Sequence, residues 1–124
     1  GWRGTVKRIG EKTLGKMAAL YGTKGEDVQA YIGPGISLDA FEVGDEVYEA
    51  FEAAGFDMAC IARRDEKWHL DLWEANRIQL LSKGVKKENV EVTGICTYQN
   101  YTDFFSARRL GIRSGRILSG IMRM

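Results

Sequence analysis

Three amphipathic helical segments, each followed closely by a glycine, constrain the fold of this chain more than any other sequence feature. The first segment ends at Gly22, the second at Gly55 and the third at Gly84. Helices often end at a glycine because glycine adopts the left-handed backbone conformation without steric strain. Within each segment the apolar residues recur at helical spacing, which is typical of a helix with one face on a core. We therefore predict helices over about 5–21, 43–54 and 70–82.

Short β-type runs lie between and after these helices. Residues 28–32 predict a strand that ends at a Gly-Pro-Gly turn, and residues 90–98 predict a central strand. Residues 117–122 predict a last strand, whereas 56–61 fit either a strand or a continuation of the second helix. This alternation predicts an α/β fold. Because few strands can be assigned, and because the chain opens at Gly1 without an initiator methionine, we expect an incomplete sheet cut from a larger domain.

The composition is that of an ordinary globular domain and argues against two classes of partner. The chain has 124 residues, of which 44% are hydrophobic and 28% are charged, and its formal net charge is +1. Surfaces that bind nucleic acid or membranes usually carry a strong basic excess, so we expect neither partner. Cys60 and Cys96 imply no disulfide framework, and no apolar run has the length of a membrane span. These features favour the cytoplasm.

The segment 94–116 carries the densest candidate chemistry. A β-type run delivers Cys96 and Thr97 to its end, and two phenylalanines and a serine follow. Four arginines then fall within nine residues: Arg108, Arg109, Arg113 and Arg116. Guanidinium groups bind phosphate or carboxylate oxygens with paired N–H donors, and aromatic faces hold flat rings. The segment predicts a site for a planar anionic ligand, although a hairpin with solvated arginines and buried phenylalanines fits the same composition.

Three further residues have weaker signals. Arg3 lies at the start of the first predicted helix, where free N–H groups favour an anion, but it also fits an exposed surface arginine. Cys60 is expected to be a small buried hydrophobic residue. His69 is the single histidine, so this chain cannot supply a multi-histidine metal site, and we expect a structural or surface role for it.

Five stretches, in order along the chain, resemble the YfiH-like laccase-domain family. They are Gly1-Trp-Arg-Gly-Thr5, Ile32-Gly-Pro34 with Phe41-Glu-Val-Gly44, Leu70-Asp-Leu-Trp-Glu-Ala-Asn76, Cys96-Thr-Tyr98, and Phe104-Phe-Ser-Ala-Arg-Arg109 with Gly115-Arg116. The resemblance extends from the first residue to the last. It implies an α/β (α+β) fold with mixed β-sheets flanked by helices. It also implies that residues 1–124 are the C-terminal part of a single domain, whose N-terminal half would be a partner.

The resemblance also implies an activity and a metal. Proteins of this family were once called multicopper polyphenol oxidases and are now described as purine nucleoside phosphorylases. We therefore expect phosphorolysis of adenosine, inosine, guanosine and methylthioadenosine, with adenosine deaminase activity in the same site. The resemblance implies zinc, with copper as the alternative, held by two histidines and a cysteine. All three ligands would precede Gly1, so no residue of this chain is expected to bind the metal.

Residue chemistry and the resemblance together give the candidate site residues. The candidate catalytic residues are Arg3 and Cys96. The candidate substrate-binding residues are Trp2, Thr97, Phe104, Phe105, Ser106, Arg108 and Arg109. In this hypothesis the phenylalanines face the base or ribose of a purine nucleoside, and Arg108 and Arg109 bind phosphate. Departures from the family pattern at Gly35, at 38–40 and at Ala107 bear on specificity rather than on the fold.

Two other hypotheses remain open at this point. A chain without metal ligands of its own could be a non-catalytic ligand-binding or assembly domain. The older description of the family suggests a copper-dependent polyphenol oxidase (laccase), but this chain offers no methionine–histidine–cysteine cluster to support copper binding.

Overall fold

Two small β-sheets and six α-helices make up residues 1–122, the part of the chain described by a computed structural model. The helices are α1 (Trp2–Val6), α2 (Ile9–Tyr21), α3 (Asp45–Ala53), α4 (Met58–Ile61), α5 (Leu72–Ser82) and α6 (Ala107–Leu110). The strands are β1 (Ala30–Ile32), β2 (Glu42–Val43), β3 (Ala62–Arg64), β4 (Trp68–Leu70) and β5 (Val90–Val92). Single 3-10 turns at Gly25–Asp27 and Lys87–Asn89 lead into β1 and β5.

The two sheets differ in strand direction, which confirms the mixed α/β fold. Strands β1 and β5 pair in parallel, with Tyr31 opposite Glu91. Strands β2, β4 and β3 form an antiparallel sheet in that order. Helix α5 contacts β1 and β5 and also α1, α2 and α4. Helix α5 therefore connects the parallel sheet to the helical part of the molecule.

The hydrophobic core lies between the antiparallel sheet and helices α3 and α5. Its buried members are Phe41, Val43, Phe51, Phe56, Ile61, Leu70, Leu72 and Ala75. The rings of Phe51 and Phe56 pack in a tilted arrangement with centroids 5.2 Å apart. Burial of a large apolar side chain contributes about 1.5–3 kcal/mol, so this cluster is the main source of stability for the scaffold.

The glycine-terminated helices are confirmed. Gly22, Gly55 and Gly84 have φ angles of +65°, +86° and +88°. Each follows the end of α2, α3 or α5, where the left-handed conformation lets the chain leave the helix. Helix α5 starts at Leu72, two residues later than predicted, because Leu70 ends β4 and Asp71 caps the helix by accepting a hydrogen bond from Glu74 N.

The prediction of one helix over 5–21 is wrong, because the chain breaks between α1 and α2. Arg8 adopts a left-handed conformation with φ of 58° and ψ of 44°. Gln79, a fully buried side chain of α5, hydrogen-bonds to the backbone groups that the break leaves without helical partners. Its Nε2 donates to Thr5 O (3.2 Å), and its Oε1 accepts from Glu11 N (3.3 Å). One buried amide thus hydrogen-bonds to the end of α1 and to the start of α2. These two bonds fix the orientation of α1, which carries Gly1.

Several strand predictions also need correction. The predicted strand 90–98 is shorter, because β5 ends at Val92 and Gly94 takes a φ of +70°. Residues 117–122 form no strand in the described structure. The ambiguous segment 56–61 is a short helix, α4, followed directly by β3. Cys60 is exposed rather than buried, and its Sγ donates to Asp57 Oδ2 at 3.4 Å.

Candidate functional site

Two adjoining cavities lie where the first residue of the chain meets the Gly-Pro-Gly turn. The inner cavity has a volume of about 160 Å³ and the outer cavity about 340 Å³. Gly1 and residues 34–36 line both of them. The inner cavity is further lined by Thr5, Ile32, Gly33, Leu72, Trp73 and Asn76. The outer cavity is further lined by Thr97, Phe105, Ala107, Gly115, Arg116, Ile117 and Ser119.

The parallel sheet positions the wall that separates these cavities from the core. Beyond β1 and β5 the pairing continues as an isolated bridge between Gly35 and Cys96. Gly35 N donates to Ile95 O at 3.1 Å, and Thr97 N donates to Gly35 O at 3.1 Å. A Cβ on Gly35 would lie 3.2 Å from Trp73 Nε1, so a larger residue would crowd the indole. The Gly-Pro-Gly turn therefore does more than reverse the chain, because it brings Thr97 to the cavity.

Cys96 lies directly behind this wall. The residue is buried, and its Sγ accepts a hydrogen bond from Ser37 N at 3.3 Å. Burial acts to raise the pKa of the Cys96 thiol, but hydrogen bonds from Ser37 and from the backbone N–H groups of Tyr98 and Gln99 outweigh it and lower the pKa. The Cys96 thiol therefore loses its proton more readily than an ordinary cysteine thiol does.

Trp73 lines the inner cavity and carries a buried indole N–H. Its Nε1 is buried and has no hydrogen-bond partner among the described residues. A buried N–H without a partner costs about 1–3 kcal/mol, which a ligand acceptor at this position would recover. Asn76, on the same helix and at the same cavity, donates from Nδ2 to Leu72 O (2.8 Å) and Thr5 Oγ1 (3.2 Å). The lining of the inner cavity thus includes an indole N–H that is unpartnered within residues 1–122 and a well-anchored amide.

The outer cavity combines an aromatic face, a hydroxyl and a guanidinium. Phe105 is 56% exposed, and its ring contacts the backbone at Gly115 so closely that an added Cβ would lie 2.8 Å from it. Thr97 is buried at the base of the cavity. Arg116 completes the wall. An aromatic face suits a planar ring, and a guanidinium suits an oxyanion.

Arg108 lies elsewhere, against the antiparallel sheet. Its Nη1 donates to Glu42 O at 2.7 Å, and its guanidinium lies 5.1 Å from the centre of the Phe41 ring. It lines a separate cavity of about 300 Å³ together with Asp39, Glu42 and His69. Two carboxylates at that cavity oppose the binding of an anion there. The contacts of Arg108 connect segment 94–116 to β2.

Arg109 is sandwiched by tyrosines. Its guanidinium lies 5.0 Å from the centre of the Tyr98 ring and 4.5 Å from that of Tyr101. Such cation–π contacts contribute about 0.5–1 kcal/mol each at exposed sites. Ser106, predicted to touch substrate, is buried and caps α6, because its Oγ accepts a hydrogen bond from Arg109 N at 3.3 Å.

The remaining predicted site residues lie around rather than in the outer cavity. Trp2 is half-buried and packs against the hydrophobic core. Arg3 is exposed, with its guanidinium 4.8 Å from the centre of the Trp2 ring. Phe104 is half-buried, and its N–H donates to Asn100 O at 3.1 Å. The structure therefore brings Thr97 and Phe105 together at one cavity with Cys96 behind them, and the other six predicted residues line neither the inner nor the outer cavity.

Two features of the site were not among the predicted site residues. Arg116 belongs to the arginine cluster and to a stretch that resembles the family but is not among the predicted site residues, and the sequence favours a plain turn for Gly33-Pro-Gly35. The available signal was the Gly115–Arg116 pair, since a glycine before a functional side chain often allows a close backbone approach. The tertiary contact of Gly115 with Phe105 explains that pair.

The described residues do not form a metal site of their own. Within 1–122 no group of three or more His, Cys, Asp and Glu side chains could hold a metal ion. His69 has the structural role that we expected: it is buried, and its Nδ1 lies 3.0 Å from Leu38 O. Its Nε2 lies 3.7 Å from Asp65 Oδ2 and 3.8 Å from Glu42 Oε2. Among the described helices, none is long and apolar enough to span a membrane.

Comparisons with known proteins agree along the whole chain. A purine nucleoside phosphorylase from Bacteroides thetaiotaomicron is 62% identical over 125 residues, which cover 98% of this chain and 46% of that protein. Adenosine deaminase RL5, from an unknown prokaryotic organism, is 46% identical over 126 residues, which cover 99% of this chain and 48% of that protein. The chain thus spans about half the length of the curated relatives it matches.

Solved structures show the same fold. The crystal structure of YlmD from Geobacillus stearothermophilus matches with a TM-score of 0.79 and 32% identity, covering 88% of this chain and 42% of that one. The hypothetical protein YfiH from Bacillus licheniformis matches with a TM-score of 0.80 and 28% identity over the same shares. The family model described as multi-copper polyphenol oxidoreductase laccase matches residues 1–124. This chain belongs to that laccase-like family, whose solved members include YfiH and YlmD.

Proposed function

We propose that the inner and outer cavities form part of a purine nucleoside site and that the protein containing this chain is a purine nucleoside phosphorylase with adenosine deaminase activity. The observation that carries the proposal is the meeting of Phe105, Thr97 and Arg116 at one cavity. A nucleoside and phosphate together require an aromatic face for the base, a hydrogen-bonding wall for the ribose and a cation for the phosphate. The names of the relatives from Bacteroides thetaiotaomicron and of RL5 support the same activities.

The proposed roles follow the chemistry of phosphorolysis. A phosphate oxygen forms a bond to the anomeric carbon while the bond from that carbon to the base nitrogen breaks, and the base leaves with the electron pair and takes up a proton. Phe105 would hold the flat base, and Thr97 would hydrogen-bond to the sugar. The Trp73 Nε1–H would donate to an acceptor on the nucleoside in the inner cavity. Holding the reactants in register supplies much of the rate in such a reaction.

Cys96 and Arg3 remain the predicted catalytic residues in this proposal. Cys96 fixes the wall that carries Thr97, because its Sγ accepts a hydrogen bond from Ser37 N and its backbone pairs with Gly35. Arg3 lies two residues after Gly1, which lines both cavities. Phe104, Ser106, Trp2, Arg108 and Arg109 would hold the surrounding segments in position through the contacts described above.

Zinc, with copper as the alternative, stays part of the proposal only through the resemblance. Residues 1–122 offer no donor cluster that fits either ion, and no step above uses a metal. The proposed ligands would lie in the half of the relatives that this chain does not span.

We also propose that residues 1–124 are the C-terminal part of one domain, whose partner is the N-terminal half found in the longer relatives. Large apolar side chains that this half would cover are exposed on α2 and β1: Ile9, Leu20, Tyr21 and Tyr31 are 55–79% exposed. Exposed large apolar side chains of this kind fit a surface that another polypeptide covers. A cytoplasmic location fits the proposed substrates.

The test is an assay of the full-length protein with inosine or adenosine, with and without phosphate and zinc. We expect phosphate-dependent release of hypoxanthine from inosine and release of ammonia from adenosine. Phe105→Ala should raise the KM for inosine roughly tenfold, since stacking of a base on an aromatic ring is worth about 1–3 kcal/mol. Leu110→Ala is the matched control, because Leu110 is similarly exposed in the same segment but does not line the cavity.

Four outcomes would contradict the proposal or a part of it. Base release that does not depend on phosphate would exclude phosphorolysis, and an unchanged KM in Phe105→Ala would remove the outer cavity from the site. Stoichiometric copper with turnover of a phenol, and no nucleoside cleavage, would favour the oxidase instead. Hypoxanthine release by residues 1–124 alone would contradict the need for an N-terminal half.

A further inference from the structure

The arginines among the candidate site residues have different surroundings, and these surroundings indicate different roles. Arg108 donates to Glu42 O and lies at a cavity with two carboxylates. Arg109 is held between two tyrosine rings. Arg3 lies over the Trp2 ring on the exposed side of α1. None of these three lines the outer or the inner cavity.

Arg116 is the guanidinium that faces the outer cavity. Its hydrogen bonds go to the backbone of its own turn: Nη1 donates to Ser114 O and to Gly115 O (3.2 Å), and Nη2 to Ile112 O at 3.5 Å. Backbone carbonyls orient a guanidinium without neutralising its charge. Across residues 1–122, every ion pair within 4.0 Å involves other side chains. The cation at this cavity is therefore oriented and retains its charge for a ligand.

The turn that carries Arg116 is fixed against the aromatic wall. An added Cβ on Gly115 would lie 2.8–2.9 Å from three atoms of the Phe105 ring, so only glycine lets the backbone approach so closely. This contact places the base of the Arg116 side chain beside the ring proposed to hold the nucleoside base. Thr97, on the same cavity, adds a hydroxyl that can donate to an anion. Three of the five N–H donors of Arg116 bond to the backbone carbonyls of its turn, so the Nε–H and one Nη2–H are left as a two-donor edge next to the aromatic face, which suits phosphate held beside a nucleoside.

We infer that Arg116 binds the phosphate substrate in the outer cavity, and that Arg108 and Arg109 are positioning residues that hold segment 94–116 against β2 and the tyrosines. The inference rests on the proposed function for the identity of the anion. It assigns the phosphate subsite to a residue that the arginine cluster alone did not single out.

The experiment measures the binding of inorganic phosphate to the full-length protein by calorimetry, without nucleoside and with hypoxanthine, so that the readout does not depend on turnover. Arg116→Gln should weaken phosphate binding roughly 10- to 100-fold, the range expected for lost hydrogen bonds to a charged group. Arg116→Lys keeps the charge but loses the planar fork, so it should weaken binding several-fold. Arg64→Gln is the control for net charge, because Arg64 is an exposed arginine on β3, and its affinity should stay within about twofold of wild type.

Because the experiment measures phosphate binding and not nucleoside cleavage, its outcomes test this inference independently of the proposed activity. Lost phosphate affinity in Arg116→Gln supports the inference even if the protein cleaves no nucleoside. Unchanged affinity in Arg116→Gln overturns it, as does the absence of phosphate binding by the wild-type protein under both conditions. Thermal unfolding checks that the variants fold, and if the glutamine variant does not, the lysine variant decides. A several-fold loss then supports the inference, and wild-type affinity overturns it.

Discussion

The region 41–85 and the segment 93–122 differ in how they are held together. In the first region Phe51 and Leu70 are completely buried, helix α3 packs on the antiparallel sheet, and α5 adds Leu72 and Ala75 to the same core. In the second region the only regular element among the described residues is α6, which has four residues. That segment is anchored by individual polar contacts, such as Arg108 to Glu42 O at 2.7 Å and Asn100 Nδ2 to Cys96 O at 2.8 Å.

This difference separates stability from candidate chemistry. The well-packed region contributes little to the cavities beyond Leu72, Trp73 and Asn76, which lie on α5 and line the inner one. The loosely structured segment supplies Thr97, Phe105 and Arg116 to the outer cavity. Functional residues commonly lie on loops that a rigid scaffold positions, because loop backbones can adopt the conformations that a ligand requires. Substitutions in the two regions should therefore affect different properties.

The largest expected effect is on stability. Phe51→Ala should lower the free energy of unfolding by about 3–5 kcal/mol, because it leaves a cavity in a close-packed core. Phe105→Ala is the matched substitution in the other region and should cost less than about 1 kcal/mol, since that ring is 56% exposed. Denaturant unfolding of both variants in the full-length protein measures the difference. Equal losses would show that segment 93–122 is as much part of the core as α3.

An intermediate effect should arise at Gly115. Gly115→Ala places a Cβ 2.8 Å from the Phe105 ring, so the ring or the turn that carries Arg116 must move. We expect the KM for phosphate to rise several-fold with an unfolding free energy within about 1 kcal/mol of wild type. Gly120→Ala serves as the control, because nothing lies within 4 Å of a Cβ built there. Wild-type kinetics in Gly115→Ala would mean that the close contact has no part in shaping the site.

The smallest expected effect concerns the two cysteines. The hydrogen bond and negative charge of Asp57 raise the pKa of Cys60, whereas the pKa of Cys96 is lowered because its hydrogen bonds outweigh burial. The rate of alkylation by iodoacetamide should therefore rise at lower pH for Cys96 than for Cys60, although burial slows the absolute rate at Cys96. Cys60→Ser and Cys96→Ser leave one thiol each, and mass spectrometry measures the rates. A lower midpoint pH of alkylation for Cys60 than for Cys96 would contradict the two pKa shifts.

The two pKa shifts make the free energy of unfolding depend on pH in opposite directions. Because the folded-state pKa of Cys96 is below its unfolded value, its contribution is present above the unfolded pKa and is lost as pH falls through the folded pKa. Because the folded-state pKa of Cys60 is raised, its contribution is present below the unfolded pKa and is lost as pH rises through the folded pKa. Unfolding of Cys96→Ser and Cys60→Ser as a function of pH, each against wild type, separates the two contributions.

The sequence by itself determined the helix ends and the class of fold. Glycines at 22, 55 and 84 predicted three helix C-termini, because only a residue without Cβ takes a positive φ at little cost. Apolar spacing predicted the α/β class, and the order of short motifs indicated the family. The sequence also located the segment of candidate chemistry and predicted Thr97 and Phe105 as site residues, because residue types and their clustering are local properties.

Only the tertiary structure decided which side chains meet. Gln79 is polar and lies on a helix, yet it is buried because it satisfies both ends of the break between α1 and α2, and no local pattern contains that information. Arg108, Arg109 and Arg116 are equivalent as sequence, but the carbonyl of Glu42, two tyrosine rings and an open cavity give them different surroundings. The role of a charged group depends on what lies within a few ångströms of it, and distant segments of the chain supply those neighbours.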